Sequence, residues 1–79
     1  MDQKQKFRLI VSEVLQIEED QVTDYLSPEQ VDTWDSLNHI NLIGVLEQEF
    51  GLTLATENLE RSQSIPGLKA LLAEHGIHV

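Results

Sequence analysis

Cysteine is absent from the 79-residue chain. That excludes disulfide bonds and thiolate metal centres, and it suits a reducing compartment. Basic residues are scarce: 5 Lys+Arg stand against 14 Asp+Glu, a formal net charge of −9 with neutral histidines. Nucleic acids and anionic membranes are bound through a basic footprint, so neither is expected as a partner. No apolar run approaches the roughly 18 residues that span a bilayer. The N-terminal stretch MDQKQKFRLI also lacks the apolar centre of a signal peptide, so a soluble, cytoplasmic protein without stable membrane insertion is expected. What is present is 41% hydrophobic residues, enough for one small core and one domain. A core of this size leaves little room for a deep catalytic cleft, so a self-contained enzyme is not expected.

The charges are unevenly placed. The basic residues Lys4, Lys6, Arg8, Arg61 and Lys69 lie near the two ends, and none occurs from Leu9 to Glu60. That stretch holds Glu13, Glu18, Glu19, Asp20, Asp24, Glu29, Asp32, Asp35, Glu47, Glu49, Glu57 and Glu60. Uncompensated like charge repels itself, so this middle is either a tolerated solvated face or a surface that steers basic partners.

Strict alternation over strand length is absent and the periodicity is helical, so an all-α fold without a sheet is expected. Phe7, Ile10, Val11 and Val14 fall at i, i+3, i+4 and i+7 and draw one stripe on a helix from Gln3 to Leu15. The long connection that follows offers Val22, Tyr25, Leu26 and Val31 as anchors onto the core. Within it, Ser27-Pro28-Glu29-Gln30 predicts a single helical turn, with a capping residue followed by proline at the first helical position. Long ordered connections are more often functional.

A second helix is expected from Ser36 to Phe50, ending at Gly51. At about 100° per residue, His39, Leu42, Ile43, Leu46 and Phe50 form its core face. Leu37, Ile40 and Gly44 turn away from that face, toward the side shared by Ser36 and Glu47. Apolar side chains beside an exposed serine are what a partner could grip. The plainer reading puts Ile40 at the core boundary and leaves Leu37 an ordinary exposed leucine. After Leu52 and Leu54, Thr56 is placed to cap a short helix over Glu57 to Arg61 containing Leu59. Ser64-Ile65-Pro66 then opens a last helix that buries Ile65, Leu68, Leu71 and Leu72, with Gly76 near its end. The expected fold is a small bundle of three main helices plus one short helix, with a long loop between the first and second helices.

At the start of the second helix stands Trp34-Asp35-Ser36-Leu37. With Asp35 as N-cap, its carboxylate takes a backbone N–H two or three residues on, and Ser36 at the first helical position keeps its hydroxyl in solvent. Free N–H groups and the positive end of the helix dipole favour an anionic group attached there. The ordinary alternative is that Ser36 itself caps the helix. Here the sequence resembles the acyl carrier protein family. The resemblance runs from Asp35-Ser36-Leu37 through Leu46-Glu47-Gln48-Glu49-Phe50-Gly51 to Leu52 and Leu54. It extends to length, acidity, the long first loop and helix order, and so covers nearly the whole chain.

The resemblance implies one acyl-carrier domain over residues 1–79. Ser36 would be esterified to 4′-phosphopantetheine, drawn from coenzyme A by a phosphopantetheinyl transferase using Mg²⁺, with Asp35 and Leu37 flanking the attachment point. Acyl intermediates would ride on that arm as thioesters, and the protein would catalyse nothing itself. The implied partners are the transferase, an acyl-loading ligase or acyltransferase, and pathway enzymes whose basic patches meet Leu37, Ile40, Gly44, Glu47 and Glu49. A monomer is expected. Where many relatives have glycine two residues before the aspartate, this chain has Thr33. Asn38 and Asn41 stand where acids are common, and Gly44 where a larger apolar residue is frequent. Glycine inside a helix costs about 1 kcal/mol relative to alanine, and close approach of a partner is one reason to keep it. These departures favour a carrier dedicated to one lipid, polyketide or surface-polysaccharide pathway over service to the general fatty-acid synthase.

The remaining chemistry-bearing residues are read structurally. His39 is one turn from Ser36, but its phase points to the core, where it lines the mouth of the bundle; a phosphate contact is the alternative. Trp34 is expected to anchor its loop on the core, with contact to the arm as the alternative. His75 and His78 lie at the other end and form no metal set with His39. Glu18, Glu19, Asp20 and Asp24 lack the glycine and spacing of a Ca²⁺ loop. Three other functions compete: an aminoacyl or peptidyl carrier, an unmodified acidic helical adaptor, and a small hydrolase using Ser36 and His39. The last lacks both an acid to orient the histidine and a cleft.

Overall fold

In the computed structural model, residues 2–54 and 62–79 are described, and the expected short helix with Thr56, Leu59 and Arg61 lies outside them. The described residues form three α-helices: α1 (Gln3–Leu15), α2 (Ser36–Phe50) and α3 (Ile65–Ala73). No strand occurs among them. All three start where a capping side chain dictates. Asp2 accepts from Gln5 N, Asp35 from Asn38 N and Ser64 from Gly67 N, each satisfying one of the orphan donors of a first turn. Pro66 sits in the first turn of α3, where its missing N–H costs nothing. At the other end α2 stops on Gly51 in the left-handed conformation (φ 66°). α1 stops on Gln16 at φ 58°, a conformation that side chains rarely adopt.

Two long-range contacts fix the pairing of α1 and α2. Lys6 Nζ donates to Glu49 O at 2.7 Å, and Thr33 Oγ1 donates to Leu15 O at 2.6 Å. The start of α1 therefore lies beside the end of α2, and the end of α1 beside the residues that introduce α2, so the helices are antiparallel. α3 begins near the first turn of α2, where Gln63 Nε2 donates to Trp34 O at 3.2 Å. The core between them holds Phe7, Ile10, Val11 and Leu15 from α1, and Leu42, Ile43 and Leu46 from α2. Ile65, Leu68 and Leu72 from α3 complete it, with Leu26, Val31, Trp34 and Leu54 packed in from the connections.

The long connection follows expectation in part. Two single 3-10 turns form, Glu19–Gln21 and Pro28–Gln30, the second where Ser27-Pro28 predicts one, although Ser27 makes no side-chain cap. Leu26 and Val31 are buried, and Val22 is half-buried against the core. Tyr25 is not an anchor: it is 88% exposed. The turn closed by Leu26 N to Thr23 O, with Tyr25 N held by Thr23 Oγ1, sends Leu26 inward and its neighbour outward. Val14, Phe50 and Leu71, expected in the core, instead sit half-buried around it. Lys6 Nζ covers the Phe50 ring at 5.1 Å from its centroid, a cation–π contact at the bundle edge.

Candidate functional site

The first turn of α2 separates two tasks. Asp35 Oδ1 accepts the Asn38 N–H at 2.8 Å and Asp35 O accepts the His39 N–H at 2.9 Å. Ser36, at the first helical position, is exposed and does not make the cap. Its hydroxyl therefore stands at the positive end of α2 without being needed to hold the helix together. Beside it Leu37 is 70% and Ile40 51% exposed, an apolar pair on an acidic surface. Gly44 continues the same side, and a Cβ added there would meet nothing within 4 Å. Among the described residues, its lack of a side chain thus has no reason in packing.

Two acids expected on this surface are turned to internal work. Glu47 is half-buried, and its Oε2 accepts the Leu54 N–H at 2.9 Å, tying the end of α2 to the segment beyond Gly51. Glu49 pairs with Lys6, Nζ to Oε2 at 3.7 Å, while its carbonyl takes the same ammonium. The Asp24 carboxylate is held by Lys69 at 2.7 Å. Asp32 and Asp35, which precede Ser36 in the chain, are both exposed, the second while capping α2.

Beneath Ser36 the structure places three side chains that form one polar line. Trp34 is buried, so it anchors the loop, and its indole Nε1–H donates to His39 Nδ1 at 3.1 Å. An indole N–H only donates, so Nδ1 accepts and the imidazole proton is on Nε2. That N–H then donates to Ser62 Oγ, 2.9 Å away. His39 is 1% exposed, which rules out the alternative of a phosphate contact at the surface. It also cannot serve Ser36 as a base, since both ring nitrogens are engaged away from it.

Thr33 and Asn38 have joint work. Thr33 Oγ1 satisfies the Leu15 carbonyl, which has no partner within α1, and Asn38 Nδ2 donates to Thr33 O at 2.7 Å. Asn41 Nδ2 in turn donates to Asn38 Oδ1 at 3.3 Å. A carboxylate at position 38 has no proton for the Thr33 carbonyl, and a glycine at 33 has no hydroxyl for Leu15. Thr33, Asn38 and Asn41 are thus parts of one clamp on the residues preceding Ser36, in which Gly44 has no share. Sequence reasoning saw the departures but not their connection, and it missed Ser62, for which the sequence carries no signal.

A cavity of about 200 Å³ gathers Lys4, Arg8 and Lys69 around Phe7, Val22 and Val79. It belongs to the N-terminal half of α1, at the end of the bundle where Lys6 meets Glu49, and not to the Ser36 end. Among the described residues no group of three or more His, Cys, Asp or Glu could hold a metal ion, and no helix is long and apolar enough to cross a membrane.

No family model matches the chain. Among curated proteins, it is 34% identical over 71 residues to "Acyl carrier protein" of Petrotoga mobilis, covering 89% of this chain and 82% of the relative. It is 35% identical over 72 residues to "Polyketide-8 synthase acyl carrier protein 1" of Streptomyces avermitilis, covering 90% of this chain and 84% of the relative. Both relatives are named as carriers rather than catalysts, and identity at this level over most of both sequences joins the all-helical fold and the residues around Ser36 in one assignment: the chain belongs to the acyl carrier protein family.

Proposed function

We propose that residues 1–79 act as one carrier domain that bears 4′-phosphopantetheine on Ser36 and presents acyl thioesters to the enzymes of a dedicated pathway. The observation that supports this reading is the division of labour at the start of α2: Asp35 caps the helix, and Ser36 is exposed at its positive end. A phosphodiester on that oxygen suits the site, because the free N–H ends of the first turn and the helix dipole favour negative charge. The arm would supply a terminal thiol on which acyl groups are held. Asp35 would orient the attachment residue through its bond to Asn38, and Leu37 would flank it.

The role of the remaining surface is recognition. Leu37, Ile40 and Gly44 offer partners an uncharged strip, and the exposed acids Asp32 and Asp35 attract basic groups to its Ser36 end. Glu47 contributes less to docking than a solvent-facing carboxylate would, since it already accepts the Leu54 N–H, whereas Glu49 is exposed and only loosely paired with Lys6. The partners on this reading are a phosphopantetheinyl transferase using coenzyme A and Mg²⁺, a loading ligase or acyltransferase, and cytoplasmic pathway enzymes acting on a monomeric carrier.

Incubation with coenzyme A and a transferase should raise the mass by one phosphopantetheine, and Ser36→Ala should abolish the gain. Absence of any gain with several transferases would leave the unmodified adaptor as the better reading. Loading assays with fatty-acyl, hydroxyacyl and aminoacyl ligases separate an acyl from an aminoacyl carrier.

A further inference from the structure

Asn38 is half-buried in the first turn of α2, and its polar groups reach to both sides of Ser36. Its backbone N–H meets Asp35 Oδ1 at 2.8 Å, its Nδ2 donates to Thr33 O at 2.7 Å, and its Oδ1 accepts from Asn41 Nδ2 at 3.3 Å. Thr33 passes the tie on, since its Oγ1 donates to Leu15 O, the last carbonyl of α1, at 2.6 Å. One line of bonds thus runs from the end of α1 to the second turn of α2, and Ser36 lies inside the span that Thr33 and Asn38 close. Between these anchors Trp34 N donates to Val31 O at 3.0 Å, so the backbone entering α2 is itself a closed turn.

The amide at position 38 is the part that an acid does not replace. A carboxylate there keeps the backbone bond to Asp35 but has no proton for Thr33 O, and two oxygens then face each other. At this position the chain holds a bond that fixes its own turn instead of a charge. A side chain offered to another enzyme is used only in the conformation that enzyme accepts, and its apparent affinity falls in proportion to the fraction of molecules in that conformation. A free entry to α2 would have to be ordered on binding, at a cost in backbone entropy for each residue involved.

Resting on the reading that Ser36 bears the arm, we infer that Asn38, acting through Thr33, is a positioning residue for Ser36. It holds the entry to α2 in the conformation that the modifying transferase accepts, and so it governs that enzyme's KM for this carrier rather than its kcat.

The test uses coenzyme A and a transferase that modifies the wild-type chain, and measures kcat and KM for Asn38→Ala, Asn38→Asp, Thr33→Val and the double variant Thr33→Val, Asn38→Ala, each verified as folded by circular dichroism. Thr33→Val keeps the shape of the side chain and removes the hydroxyl that faces Leu15 O. Each single variant should raise KM by about three- to tenfold, the span of one net hydrogen bond, with kcat within about twofold of wild type. The double variant should raise KM no further than the larger single effect, because both changes cut one line. Effects that multiply in the double variant would show that Asn38 touches the transferase directly, and a change confined to kcat, or a KM within about twofold of wild type, likewise overturns the inference. On the unmodified chains, hydrogen exchange of the Trp34 backbone N–H should quicken by about threefold or more in Thr33→Val and in Asn38→Ala alike. Unchanged exchange overturns the inference without any transferase, and it decides the matter should the double variant fail to fold. Absence of any mass gain on the wild-type chain overturns the attachment reading and this inference together, whereas a modified wild type with unaltered variants overturns this inference alone.

Discussion

The two ends of α2 use their polar side chains in opposite ways. At the C-terminal end Glu47 holds Leu54 N, Glu49 meets Lys6, and Lys6 also covers Phe50. These groups close the fold. At the N-terminal end one carboxylate, Asp35, supplies the cap, and the serine beside it is left exposed between two protruding apolar residues. No Asp, Glu, Lys or Arg lies between Ser36 and Leu46. The difference teaches that an acidic composition does not make every acid a docking group. On this helix Glu47 is committed to the chain itself and Glu49 stays exposed at the far end, so what the Ser36 end offers outward beyond Asp35 is a hydroxyl and an uncharged strip.

That contrast can be broken most forcefully at the residue that supports the Ser36 end from below. Trp34→Ala should cost about 3–5 kcal/mol in denaturant unfolding, because it empties a large buried volume and removes the hydrogen bond to His39 Nδ1. A loss below about 1 kcal/mol would mean that the first turn of α2 does not depend on this anchor. At the opposite end Glu47→Ala should cost about 1–2 kcal/mol by leaving the part-buried Leu54 N–H without its acceptor. Glu49→Ala should cost only a few tenths, since its pair with Lys6 is solvent-exposed. Equal losses for the two glutamates would erase the distinction drawn between them.

The division between cap and attachment residue predicts about 1 kcal/mol lost for Asp35→Ala and a change within about 0.5 kcal/mol for Ser36→Ala, measured on the unmodified protein. A reversed order would make Ser36 the cap. The smallest effect sharpens the view of the uncharged strip: Gly44→Ala should stabilise the helix by about 0.5–1 kcal/mol, as there is room for the methyl group. If the same substitution slows modification or a partner reaction, the glycine is serving close approach.

Much of this was legible in the sequence because helix boundaries are written in local chemistry. The bounds of α1 and α2 and the start of α3 follow from Asp35, Ser64, Pro66 and Gly51 together with the apolar spacing, and the inward phase of His39 follows from the same spacing. What escaped depends on individual hydrogen bonds that apolar spacing does not encode. Glu47 faces the side of α2 that periodicity marks as outer, yet a backbone N–H seven residues on draws its carboxylate in. Tyr25 and Leu26 are equally apolar to a pattern search, and only the turn at Thr23 decides which goes inside. Ser62 is joined to His39 across 23 residues, a distance at which no periodicity speaks.

Trp34 is the chain's single tryptophan, and it lies two residues from Ser36 with its N–H bound to an imidazole. In optical terms, all indole emission from this protein comes from one ring in one environment. Parting that hydrogen bond, or admitting water beside it, alters the only such signal present. The molecule therefore carries an unlabelled gauge of its own first turn, readable while partners come and go.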